Sequence, residues 1–166
     1  MHQRSNMKDW EYKKETTMGK KPNFIVIMTD DQGYGDLSCM GNTDFVTPNI
    51  DALAENGARF TDWYSGSPVC SPSRACLMTG RYPGNAGVRA ILAGHRRASG
   101  LTSKVPTLAS ALKREGYQTN LVGKWHLGLA PECRPNQNGY DYFYGFMAGC
   151  VDYYSHIFYW GMADGH

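Results

Sequence analysis

The chain has 166 residues, a net charge of +2, nineteen glycines and eleven tyrosines. That length suits one modest domain with a core, and the charge points to neither a nucleic-acid nor a membrane-surface partner. No apolar run is long enough to span a bilayer, no repeat is present, and the five cysteines include no C-x-x-C pair, so neither a zinc ribbon nor a complete disulfide framework is indicated.

Residues 1–22 are polar and charged and lack an apolar signal core. They are expected to form a disordered or polar extension, with the domain over 23–166. As written, this predicts a cytoplasmic chain with free thiols. A different start site would allow a periplasmic or secreted one.

Phe24 to Met28 (F-I-V-I-M) is a continuous apolar run followed by Asp30-Asp31-Gln32-Gly33. The pattern predicts a buried, parallel strand with acids at its C-terminal end. Ligands gather at that edge in open α/β sheets. Two adjacent carboxylates repel unless a cation neutralises them; the plain alternative is a polar turn. Thr47 to Gly57 predicts a helix with Thr47 as cap, Pro48 at its first position and Gly57 beyond its end. Ile50, Leu53 and Ala54 form its expected buried face. Ala58 to Tyr64 reads as a second strand.

Val69 to Arg81 reads V-C-S-P-S-R-A-C-L-M-T-G-R. Ser71 is the expected N-cap, Pro72 the first helical residue and Gly80 the stop. Cys70 then lies at a helix N-terminus with Arg74 one turn on. Such an end carries partial positive charge and suits a reactive cysteine or a bound oxyanion. Gly84 to Ser103 is irregular and basic, with Arg89, His95, Arg96 and Arg97. It reads as a solvated loop, with a rim that attracts an anionic substrate as the alternative. Val105-Pro106-Thr107 opens a helix with Leu108, Ala111 and Leu112 on one face, and Gly116 stops it. Tyr117 to Val122 reads as a strand running into Gly123-Lys124-Trp125-His126-Leu127-Gly128. Gly139 to His156 is aromatic and glycine-rich; it reads as core and loop packing, with Asp152 and His156 able to line a pocket.

C-S-P-S-R with its extension A-C-L-M-T-G-R resembles the modification motif of the type I sulfatases, the arylsulfatase family of the alkaline-phosphatase-like superfamily. T-D-D-Q-G-Y-G-D-L and G-K-W-H-L-G resemble two further segments of that family. Gly139 to His156 is similar to arylsulfatases of the N-acetylgalactosamine-4-sulfatase type. The resemblance runs from about Asn23 to His156. It implies an α/β fold, a mixed and mostly parallel sheet flanked by helices. It also implies that only the N-terminal part of the catalytic domain is here. The family's second pair of metal ligands and its leaving-group histidine have no match before His166.

In that family the cysteine is oxidised by a separate maturating enzyme to formylglycine, whose hydrate attacks sulfur. The resemblance therefore implies that Cys70, once converted, is the nucleophile and a metal ligand. Asp30 and Asp31 would be the first two ligands of a calcium, or magnesium, ion. Arg74 would hold the hydrate or neighbouring carboxylates, His126 would contact the formylglycine oxygens, and Lys124 would bind the sulfate. The implied reaction is hydrolysis of sulfate monoesters, sulfated glycans or small molecules, with the isolated chain inactive. The rivals are a phosphate or phosphonate monoester hydrolase of the same superfamily and a non-catalytic fragment. A thiol-phosphatase loop of Cys-x5-Arg pattern is absent, because position 76 is Cys76.

Overall fold

The computed structural model describes residues 21–157. The chain divides into two units, Met1–Gly33 and Tyr34–His166. Most of the expected polar extension, residues 1–20, lies outside the described residues.

In the first unit, Phe24 to Met28 forms no strand and stands exposed, Ile25 at 86%. This corrects the expected buried strand. An apolar run becomes a strand only where a ladder and a packed layer receive it. The sequence pattern reports the capacity and not the partner.

The second unit begins with 3₁₀ turns at Tyr34–Asp36 and Ser38–Met40. Helix α1 (Pro48–Asn56) follows, then α2 (Cys70–Thr79), the single turn α3 (Pro83–Ala86) and α4 (Leu108–Arg114). Strand β1 (Asn120–Lys124) and strand β2 (Tyr142–Phe146) close the order, with 3₁₀ turns at Pro131–Cys133 and Pro135–Asn138 between them. The two strands are parallel, with Asn120 opposite Tyr142 and Lys124 opposite Phe146. Parallel strands need a long crossover, usually a helix; here the 3₁₀ turns carry it.

Helix α1 starts and stops where its punctuation predicts, but none of its residues is buried, and Leu53 is 68% exposed. Its start is fixed by polar contacts instead. The Thr47 hydroxyl donates to the Asp51 carboxylate at 2.9 Å, and the Cys39 amide donates to the same carboxylate at 3.0 Å. Ala58 to Tyr64 forms no strand. Strand β2 was expected only as core and loop. With an aromatic at four of five positions, Y-F-Y-G-F shows no period-two polarity. Strand β1 begins three residues later than expected, because Thr119 is occupied by other bonds. Its amide donates to the Asp141 carboxylate at 2.9 Å and its carbonyl accepts from Asp141 at 2.8 Å.

The core is built from Ala75, Val88, Leu101, Ala109, Trp125, Leu127 and Tyr140. Val88 and Leu101 come from the segment expected to be a solvated loop. Its charged residues Arg89, His95, Arg96 and Arg97 do face water, while Val88, Ala98 and Leu101 turn inward and Ile91 stays exposed. Trp125 meets Tyr140 edge-on at 6.2 Å, and the Tyr140 hydroxyl donates to the Met78 sulfur at 3.0 Å. Burial pushes the Tyr140 phenol pKa upward. Helix α4 is capped by a reciprocal Thr107–Ser110 box, but its buried residue is Ala109, and the expected Leu108 is exposed.

Candidate active site

Helix α2 begins at Cys70 itself, with Val69 as its extended N-cap. The Ser73 amide closes the first turn on the Val69 carbonyl at 3.1 Å. Pro72 therefore stands third in the helix rather than first. That costs no hydrogen bond, since the first four amides have no intrahelical acceptor. Ser71 is not the cap. It is fully buried, and its hydroxyl accepts from the Leu92 amide at 3.1 Å. Gly80 ends the helix as expected, in the left-handed conformation at φ 65°. Cys70 is a half-buried free thiol. The loop leading to it is held by a 2.7 Å bond between the hydroxyls of Ser65 and Ser73.

Arg74 is 7% exposed, and its Nη1 donates to the main-chain carbonyl of Lys124 at 2.8 Å. The first turn of α2 is thereby tied to the last residue of β1. The bond links C-S-P-S-R to G-K-W-H-L-G across fifty residues of sequence. The expected partners of Arg74 were a diol or carboxylates; a backbone carbonyl takes this nitrogen.

Two residues on, His126 is 2% exposed and has φ 52°. A positive φ outside glycine is a strained backbone state, and such states gather at functional sites. The strand ladder supports it, since the His126 amide donates to the Met147 carbonyl at 3.1 Å. Its ring Nε2 lies 3.0 Å from the Leu92 carbonyl oxygen. Ser71 and His126 thus hold the same Leu92 residue, one by its N–H and the other by its C=O. Gly149 packs against the ring: a Cβ there would lie 2.7 Å from His126 Cε1. Motif spacing gave no hint of Leu92 or Gly149, because neither lies in a recognisable pattern.

Asp30 and Asp31 belong to the first unit, where both sit in an exposed bend and Asp31 has φ 53°. Their carboxylates suit a hard cation in kind, but calcium takes about six to eight oxygens. Among the described residues no group of three or more His, Cys, Asp or Glu side chains could hold a metal. The fit is therefore partial, and no chemical step is derived through a metal. Asp152 and His156 form a local turn: the Asp152 carboxylate accepts from the amides of Tyr154 at 3.0 Å and Ser155 at 2.6 Å. The His156 amide donates to the Asp152 carbonyl at 2.8 Å.

The sequence model of the family described as Sulfatase matches residues 22–162. Arylsulfatase H of Canis lupus familiaris is 41% identical over 147 residues, covering 81% of this chain and 26% of that protein. The steryl-sulfatase of Homo sapiens is also 41% identical over 147 residues, covering 82% of this chain and 25% of that protein. The crystal structure of Ps i-CgsB superposes with a TM-score of 0.77 at 42% identity, over 81% of this chain and 30% of that one. BT4656, solved with its substrate D-glucosamine-2-N,6-O-disulfate, superposes with a TM-score of 0.62 at 35% identity, over 75% of this chain and 23% of that one. The chain belongs to the sulfatase family, and its fold is of the alkaline-phosphatase-like α/β class. It spans about a quarter of the length of the curated relatives it matches.

Proposed function

We propose that this chain carries the nucleophile and sulfate-binding part of a sulfuric ester hydrolase acting on sulfate monoesters. The observation that supports this best is the Arg74–Lys124 bond, which ties the cysteine-bearing helix to the lysine–histidine segment. In this reading Cys70 is the residue converted to formylglycine by a maturating enzyme. That modification supplies a hydrated aldehyde as nucleophile, and calcium, when bound, supplies positive charge toward the sulfate oxygens.

The chain's own residues do the rest. The N-terminus of α2 offers unpaired amides and a partial positive charge beside residue 70. Arg74 adds a fixed cation one turn along the same helix, and its bond to Lys124 keeps it in register. Lys124 contributes a point charge for a sulfate oxygen. His126 stands at the formylglycine oxygens and accepts the proton that their hydrate gives up as sulfate leaves. Asp30 and Asp31 supply two carboxylates toward the cation.

Sulfated glycans are the proposed substrate class. The support is the disulfated glucosamine substrate of BT4656, together with the complex of Ps i-CgsB with k-i-k-neocarrahexaose, which superposes at a TM-score of 0.70 and 42% identity. The test is turnover of aryl sulfate, phosphate and phosphonate esters by the longest natural protein carrying this chain. Preference for the sulfate ester, abolished by Cys70→Ala, is expected. Preference for a phosphate or phosphonate ester would move the protein to a sister activity.

A further inference from the structure

We propose that Ser71 and Gly149 are positioning residues for His126, holding its imidazole as the Nε2–H tautomer so that Nδ1 is the atom that accepts a proton. The inference deepens the reading of His126 given above and rests on it. Nε2 lies 3.0 Å from the carbonyl oxygen of Leu92. A carbonyl can only accept, so Nε2 must carry the hydrogen in the neutral ring, and the lone pair is then on Nδ1. A proton taken at Nδ1 gives an imidazolium whose Nε2–H keeps the same bond. Returning that proton restores the starting tautomer without moving the ring.

Three contacts keep this geometry. The Leu92 amide donates to the buried Ser71 hydroxyl at 3.1 Å, which fixes the peptide whose neighbouring carbonyl receives Nε2. At position 149 only glycine fits: a Cβ would stand 2.7 Å from Cε1 and 2.9 Å from Nε2, nearer than real Cβ contacts come. The left-handed backbone of His126 is held by Met147. Ser71 therefore has a task distinct from its neighbours in C-S-P-S-R. It is wholly buried and acts on His126 through Leu92.

The test is the ring-nitrogen spectrum of the 166-residue chain labelled with ¹⁵N-histidine, recorded above the ring's titration, with His126 assigned by its absence in His126→Gln. A single pattern is expected, with Nε2 protonated and Nδ1 bare. Ser71→Ala and Gly149→Ala should each lose it to a tautomer mixture. Cys70→Ala should keep it, so the tautomer is read separately from whatever chemistry residue 70 performs. An Nδ1–H ring or a mixture in the unmutated chain would overturn the proposal. So would an unchanged pattern in Ser71→Ala. These two spectra decide the matter even where Gly149→Ala unfolds the chain.

Discussion

Arg74 donates to the main-chain carbonyl of Lys124 at 2.8 Å, and the residue as a whole is buried. A buried cation is stable only where its hydrogen bonds are satisfied. The bond therefore belongs to the fold before it belongs to any reaction. Arg74→Ala leaves the Lys124 carbonyl without this donor and opens a cavity. We expect a loss of roughly 2–4 kcal/mol, read as a fall in the urea midpoint. A loss below about 0.5 kcal/mol, the range of an ordinary surface change, would mean that the two segments are held together by other contacts.

Gly145 sits in β2 at φ 151°, and a Cβ there would lie 2.0 Å from the Gly123 carbonyl oxygen. No flexible side chain can yield, since the obstacle is backbone. Gly145→Ala should cost more than about 2 kcal/mol by strain and lost strand pairing. The check is thermal unfolding beside Gly41→Ala. Gly41 also has positive φ, but its Cβ would meet no atom within 4 Å. Equal losses in both would contradict the crowding argument.

Asp141 is held to a pKa of about 2, first by the Lys113 ammonium at 2.6 Å and then by the amide and hydroxyl of Thr119. A carboxyl whose pKa is lower folded than unfolded stabilises the fold above its unfolded value. That stabilisation fades as pH falls through the folded value. The window therefore runs from about pH 4, the ordinary Asp value, down to about pH 2. Stability should drop with acid across it, and Asp141→Asn should flatten that part of the profile. An unchanged acid slope in Asp141→Asn would remove Asp141 from the account.

Asp30 and Asp31 offer two carboxylates, and no larger ligand cluster exists among the described residues. Calcium sites with full oxygen sets range down to millimolar affinity. This chain alone should bind Ca²⁺ more weakly than about 1 mM by calorimetry. Micromolar binding would show that the chain completes a site by itself.

Local punctuation was legible in the sequence. Thr47-Pro48, Gly80 and Thr107 mark helix ends because caps and stops are decided within one turn. The strands were less legible, since a strand needs a partner that lies elsewhere in the chain. Phe24 to Met28 has the composition of one without the ladder, and Tyr142 to Phe146 has the ladder without the expected pattern. The two motifs at 70–74 and 124–126 could be read, but not how they meet. Arg74 reaching Lys124 and Ser71 reaching Leu92 are long-range bonds, fifty and twenty-one residues apart. Only the fold expresses them. Gly149 shows the same limit: its demand for glycine comes from the His126 ring.

The most direct test of the account is the mass of the tryptic peptide Phe60 to Arg74, from protein made in its native host. Conversion of the Cys70 thiol to an aldehyde should make this peptide about 18 Da lighter. The account predicts that lighter peptide. An intact thiol, persisting when a maturating enzyme is supplied during synthesis, would contradict the assignment of Cys70 as the sulfatase nucleophile.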